Sequence, residues 1–375
     1  MPATAVEKAM LSIAHLTSAH PRYDSRIFGK QCRTLAEHGH QVALVVADGH
    51  GNDYRHGVRI LDAGATSGRL DRMLSGTHRV YRLALRLRAD IVQLHDPELL
   101  PAALLLKLRG HKVIFDAHED VPLQLLGKPY LGPSSRRLLA AAYARFEHHA
   151  CRLLDGVIAA TPTIRDKFSL INHSTIDINN FPLSDEFSAD PGWEHKPLQV
   201  CYVGGLSAIR GIAELVRACE LLRTPVRVRL AGSFGEPALA ARMRALPGWG
   251  RIDAVGLLDR AGVGAMLAAS RAGLVTLHPT PNHLDAQPVK MFEYMAAGIP
   301  VIASDFPLWR GIVEGNGCGV CVDPHDPAAI AAAIDYLAGH PDVARRMGEN
   351  GRAAVRTRYN WGSESIKLLR FYESL

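Results

Sequence analysis

No Asp-x-Asp pair occurs anywhere in the 375 residues, so the usual bidentate carboxylate site for a divalent metal on a diphosphate is missing. No run of about 18 or more apolar residues is present, nor a charged-then-apolar leader ending in small residues, and a cytoplasmic location is therefore expected. Aromatic residues make up only 6%. They form no platform interleaved with the basic residues, which argues against nucleic acid as a partner. The six cysteines, at 32, 151, 201, 219, 318 and 321, lack the dense spacing of a disulfide framework, and Cys318-Gly-Val-Cys321 has no second pair to complete a zinc or redox site. No intact G-x-G-x-x-G follows the first apolar run, which weakens a nicotinamide-dependent reading.

What is present suits two α/β domains. Short apolar runs at 11–16, 41–47, 91–94, 113–115 and 156–160 alternate with helical patterns, and a second series follows at 199–203, 226–231, 273–277, 300–303 and 319–322. Such alternation predicts parallel, doubly wound sheets. A Pro-, Asp- and Ser-rich stretch breaks the periodicity between them. We therefore expect an N-terminal domain over 1–182, a linker over 183–197 and a C-terminal domain over 198–360, with the helix 361–375 packing back on the first. The net charge of +6 lies entirely in the first half, where 23 Lys or Arg face 17 Asp or Glu over residues 1–183. That asymmetry points to an anionic partner for the first domain.

Two stretches carry the chemistry of the second half. The apolar run 199–203 leads directly into Gly204-Gly205 and then Arg210-Gly211, followed by a helical stripe of Ile212, Leu215, Val216, Cys219 and Leu222. Glycines let a backbone approach a phosphate, a helix start offers free N–H groups, and Arg210 adds a forked cation. The second stretch runs from Asp285 through Gln287-Pro288-Val289-Lys290 to Glu293 and Gly298. Lys290, Glu293 and Tyr294 share one helical face, at the end of a parallel sheet where α/β proteins bind ligands. There Glu293 can accept hydrogen bonds from ribose, and Asp285 can reach sugar hydroxyls from its loop.

In the first half, His118 follows a strand in Phe115-Asp-Ala-His-Glu-Asp120, and His95-Asp96 caps another. Arg69, Arg72, Arg79, Arg82, Arg86 and Arg88 crowd a segment that also holds Leu70, Met73, Leu74, Val80, Leu83 and Leu87. Such a basic amphipathic segment fits an anionic membrane surface.

Tyr202-Val-Gly-Gly-Leu-Ser-Ala-Ile-Arg-Gly211 and Pro288-Val-Lys-Met-Phe-Glu-Tyr-Met-Ala-Ala-Gly-Ile-Pro-Val-Ile-Ala-Ser304 resemble the corresponding motifs of the family-4 glycosyltransferases, and the resemblance extends over nearly the whole chain. It implies the GT-B fold, two Rossmann-like domains facing a central cleft. It also implies transfer of a sugar from a UDP- or GDP-sugar to a lipid-linked or glycan acceptor, with retention and without a metal or other cofactor.

The same resemblance assigns Glu293 to the donor ribose, Asp285 and His118 to the donor sugar, and Arg210 to the diphosphate, with Gly204, Gly205, Gln287, Pro288 and Val289 lining the donor. Asp285 stands where the family usually has Glu, and Gly205 where it often has Arg. Lys290 is our candidate for the missing cation. Tyr23-Asp-Ser-Arg-Ile-Phe28 resembles a subgroup that assembles cell-surface polysaccharides, which puts Asp24, Arg26 and His95 on the acceptor side. Glu119 and Asp120 stay open as bases for an inverting reaction. A sugar-nucleotide epimerase or phosphorylase, and a silent partner subunit, are the rival readings.

Overall fold

Apolar runs that do not alternate, such as Val42–Val46 and Ile91–Leu94, need cover on both faces. They become central strands of two sheets in the computed structural model, which describes residues 10–128, 132–187, 189 and 191–375. One unit comprises the chain up to Asn180 together with Glu364–Leu375, and the other comprises Phe181–Ser363. Positions 188 and 190 of the expected linker lie outside the described residues.

The first unit holds β1 (Ser12–Leu16), β2 (Gln41–Val46), β3 (Asp53–Arg55), β4 (Val58–Asp62), β5 (Ile91–Leu94), β6 (Lys112–Ala117), β7 (Gly156–Ala159) and β8 (Thr175–Asp177). Their order is β3-β4-β2-β1-β5-β6-β7-β8. Every pairing is parallel except β3 with β4. The second unit holds β9 (Gln199–Val203), β10 (Arg227–Ala231), β11 (Ile252–Gly256), β12 (Gly273–Val275), β13 (Val301–Ser304) and β14 (Gly319–Val322) in the all-parallel order β11-β10-β9-β12-β13-β14. In each sheet β1 or β9 lies inside and the order runs outward in both directions from it. The reversal creates a switch point at the carboxyl edge, where doubly wound sheets hold ligands.

The strands β3, β4, β8 and β11 are additions to the sequence reading. Three of them are sheet edges, and half-exposed three-residue pieces such as Thr175–Asp177 carry too little apolar pattern to announce themselves. The helix Trp361–Ser374 contributes its later residues to the first unit: Phe371 packs so closely on Gly156 that a β-carbon there would lie 2.6 Å from the ring. Tyr372 donates to Gln93, and Glu364 accepts from the Asn179 N–H at 2.7 Å.

Candidate functional site

Two clusters of functional side chains form, one at the carboxyl edge of each sheet. In the second unit, β9 ends at Val203 and the backbone turns through Gly204, whose φ is +130°. A β-carbon on Gly204 would lie 3.0 Å from Lys290 Nζ and 3.4 Å from Arg210 Nη1, so this glycine is the floor under two cations. Gly211, at φ +70°, starts the helix Ile212–Leu221, and any side chain there would strike the Thr276 carbonyl oxygen at 2.0 Å. Glycine is required at both positions. The stripe from Ile212 to Cys219 is buried, which fixes the loop against the sheet.

The helix Val289–Ala296 is buried from Lys290 onward. Tyr294 anchors it, accepting from the Val203 N–H at 3.0 Å and donating to the Leu274 carbonyl at 3.4 Å. Lys290 is 9% exposed and its Nζ has no hydrogen-bond partner among the described residues. The ammonium lies 3.7 Å from the centre of the Tyr202 ring. Burial, and after it repulsion from Arg210, holds the Lys290 amine well below the ordinary lysine range. A buried amine with no anion beside it escapes the cost of its charge by releasing its proton, and an anion brought next to it favours the charged form.

Glu293 does not pair with Lys290. Its Oε1 accepts from Arg260 Nη1 at 2.7 Å, and Arg260 also binds Glu186. The two residues share a helical face but are both buried, with different fates. Arg260 went unread in the sequence, although Asp259 is a good helix N-cap and caps through the Gly262 N–H. Gln287 adds a buried Oε1 with no hydrogen-bond partner among the described residues, and the Trp309 indole donates to the Ala286 carbonyl at 2.7 Å, steadying that loop. Pro288 and Val289 open the helix, and Asp285 is exposed just before it. Gly204, Arg210 and Lys290 are therefore brought together, whereas Asp285 is exposed.

In the first unit the centre is Asp116, wholly buried on β6. Arg26 grips it twice, at 2.6 and 3.1 Å, and Gln31 donates at 2.7 Å. His95 Nδ1 and His118 Nε2 lie 3.1 and 3.2 Å from its Oδ2, and His15 Nδ1 lies 2.9 Å from His95 Nε2. Burial opposes ionisation of Asp116, but Arg26 and the two histidines outweigh it and hold the carboxyl well below its usual range. Burial lowers His95. His20 stands beside this group, its ring 4.9 Å from His118 and its nitrogens 3.5 and 3.4 Å from Asp24 and Asp96. Those carboxylates overcome burial and raise its pKa.

Several expectations change here. Arg26 is 3% exposed, spent on Asp116 and the Ile178 carbonyl, and is not free for an acceptor. Asp24 caps the wide turn Ile27–Cys32 by accepting from the Arg26 and Ile27 N–H groups. Asp120 caps the helix Val121–Leu126 through the Leu123 N–H and meets Lys167 at 3.2 Å, so it is no free base. Glu119 is exposed and accepts from Gln124. His118 and His95 do come together, through an Asp116 to which the sequence reading gave no role. Its signal was a carboxylate in mid-strand, which must find a partner when buried.

The basic segment also divides. Arg79 donates to the Ala63 and Ala65 carbonyls at 2.7 and 2.9 Å, and Arg72 meets Glu98 at 2.8 Å. Arg82 and Arg86 are exposed, together with Leu70 and Leu74.

Two doubly wound, mainly parallel sheets, each with a functional cluster at its carboxyl edge, define a GT-B architecture. Residues 184–354 match the family described as glycosyl transferases group 1, and residues 25–172 match the glycosyl transferase 4-like domain. The chain belongs to the family-4-like glycosyltransferases. It is 28% identical to D-inositol 3-phosphate glycosyltransferase from Xylanimonas cellulosilytica over 46% of this chain and 41% of that protein. It is 26% identical to the D-rhamnosyltransferase WbpZ of Pseudomonas aeruginosa over 59% of this chain and 60% of the relative. These matches thus span about two-fifths and three-fifths of the relatives' own lengths. Among solved structures, sucrose-phosphate synthase from Thermosynechococcus elongatus superposes with a TM-score of 0.75 at 18% identity, covering 96% of this chain and 98% of that one. HepE of Anabaena, solved with UDP-glucose, gives 0.74 at 16% identity over 97% and 100%.

Proposed function

We propose that the protein moves a hexose from a UDP- or GDP-sugar to a lipid-linked or glycan acceptor, with retention and without a metal on the diphosphate, in cell-surface polysaccharide or glycoconjugate synthesis. One observation carries the reading: Lys290 Nζ is buried beside Arg210 without a hydrogen-bond partner among the described residues, both packed over a glycine that a side chain would crowd. Two cations facing one space match the diphosphate of a nucleotide sugar, and their charge grows in value as the leaving group departs. The solved complexes of HepE with UDP and UDP-glucose support a nucleotide-sugar donor.

In this proposal Glu293, steadied by Arg260, takes the ribose hydroxyls. The backbone of Gln287–Val289 faces the diphosphate, and Asp285 and His118 attend the donor sugar. Asp116 is consumed by Arg26 and Asp120 by its helix, so a retaining route, in which the departing phosphate accepts the acceptor's proton, suits the residues best. The exposed Leu70, Leu74, Arg82 and Arg86, with Leu138, Leu139, Arg145 and Arg152 on the helix Pro133–Leu153, suit reversible docking on the anionic cytoplasmic face of a membrane. Among the described residues no helix is long and apolar enough to cross one.

Calorimetric titration with UDP, GDP, dTDP and ADP tests the reading. One of the four is expected to bind wild type and to bind Lys290→Met at least tenfold more weakly, taking roughly the value of one charged hydrogen bond. Failure of all four to bind folded wild type would overturn it.

A further inference from the structure

Outside the donor cations, the second unit gathers Glu214, His278 and His325 so that one ligand atom from each lies within 4.8 Å of the others. Three separate elements supply them. Glu214 stands in the first turn of the helix Ile212–Leu221, His278 follows β12, and His325 lies in the turn between β14 and the helix Pro327–Gly339. His278 Nε2 is 3.1 Å from Glu214 Oε2, and the His278 and His325 ring centres are 4.3 Å apart. The His278 backbone is held at both ends, its N–H donating to the Ile209 carbonyl at 2.9 Å and its own carbonyl 2.9 Å from His283 Nδ1. A hydrogen bond between His278 and Glu214 needs no third partner, yet a second imidazole stands over it.

Metal chemistry explains the third group. Two donors held about 2.0–2.1 Å from a tetrahedral zinc ion are about 3.3 Å apart, close to the observed His278–Glu214 separation. His325 is exposed, so its ring has room to close the remaining distance, and water completes the shell. Imidazole and carboxylate together suit zinc and its neighbours among the divalent transition metals. The other triad of this type, His95, Asp116 and His118, also meets the 4.8 Å limit, but there Arg26 and Gln31 already occupy the carboxylate. No such cation faces Glu214, whose ion-pair partner among the described residues is His278.

We propose that Glu214, His278 and His325 bind one divalent transition-metal ion of the zinc class. The ion would tie the segment after β12 to the start of the helix Ile212–Leu221. That segment already packs Thr276 on Gly211 and bonds His278 to Ile209, so the metal braces the turn that carries Arg210 without touching the diphosphate. The inference stands apart from the proposed sugar transfer, because its readout is metal occupancy alone.

The test uses the full chain, untagged, stripped with chelator and titrated with zinc chloride, with stoichiometry checked by elemental analysis. Wild type is expected to take up one zinc per chain. His325→Ala, a change at an exposed turn that leaves folding intact, should bind roughly tenfold more weakly or worse, as should His278→Ala. His118→Ala should bind as wild type does. Absence of stoichiometric zinc, unchanged binding in His325→Ala, or loss of the ion in His118→Ala would each overturn the proposal, the last by moving the metal to the other unit.

Discussion

Around Asp116 the buried carboxylate has its counter-charge in Arg26, whereas beside Gly204 a buried lysine has no hydrogen-bond partner among the described residues. Both clusters sit at the carboxyl edge of a parallel sheet, and both exclude water from charged groups. The first is a charge-matched network, so its value is geometric: it fixes where His95 and His118 point. The second is incomplete without a ligand, so its value lies in binding. A paired charge costs stability when its partner is removed, and an unpaired one costs stability while it remains.

The largest effect should come from breaking the charge-matched network. Asp116→Ala leaves Arg26 buried and unmatched, and should lower unfolding free energy by about 3–5 kcal/mol in urea titrations. Lys290→Met removes a buried cation, and its urea midpoint should equal or exceed that of wild type. Equal losses from both substitutions would erase the distinction between the two edges.

A smaller effect is expected from Glu293→Ala, which should weaken nucleotide-sugar binding by about 1.5–3 kcal/mol, since charge-assisted bonds to ribose are lost. Arg260 retains Glu186 as a partner, so the fold should survive. Normal donor affinity in the folded variant would remove Glu293 from the site.

The pH dependence sharpens the contrast further. In the free protein the Lys290 amine is held well below the usual lysine range by burial and by Arg210. A bound diphosphate favours the charged form, so its pKa rises in the complex. Between those two values binding takes up a proton, and affinity falls as pH rises through that window. Calorimetry of a nucleotide sugar in buffers of different ionisation enthalpy should show this uptake in wild type and none in Lys290→Met. A pH-independent affinity in wild type would separate Lys290 from the diphosphate.

The smallest effect lies on the surface, where Arg72 and Arg79 are committed to partners and Arg82 and Arg86 are exposed. Arg82 and Arg86 should each contribute roughly 1 kcal/mol to association with anionic vesicles at low salt, fading as salt rises. Glu substitutions at both should release the protein in sedimentation. Arg79→Gln should leave that binding nearly intact, because Arg79 is committed to Ala63 and Ala65. Equal release by all of these changes would contradict the division.

The central strands and the two-sheet architecture were legible because buried parallel strands write themselves as short apolar runs between helical stripes. Edge strands such as β8 and β11 were not, since half-exposed residues leave no contrast to read. The phosphate turn was visible in Gly204, Arg210 and Gly211, where backbone geometry dictates residue type. The Asp116 network was only half visible. His95 and His118 stood out, but Arg26 looked like a surface cation, and a sequence does not show that its guanidinium folds inward to a carboxylate 90 residues away. Arg260 was hidden for the same reason: its partner Glu293 is distant in the chain and near only in the fold.

The return of Glu364–Leu375 to the first unit governs the order of assembly. Domains usually mature from the N-terminus as a chain is synthesised. Here the second unit is one continuous segment and has all its parts once Ser363 is made, while the first still lacks Phe371 over Gly156 and Tyr372 on Gln93. The half of the protein that is translated first is therefore the half that is completed last, and until then its sheet offers nascent apolar surface to whatever attends the ribosome.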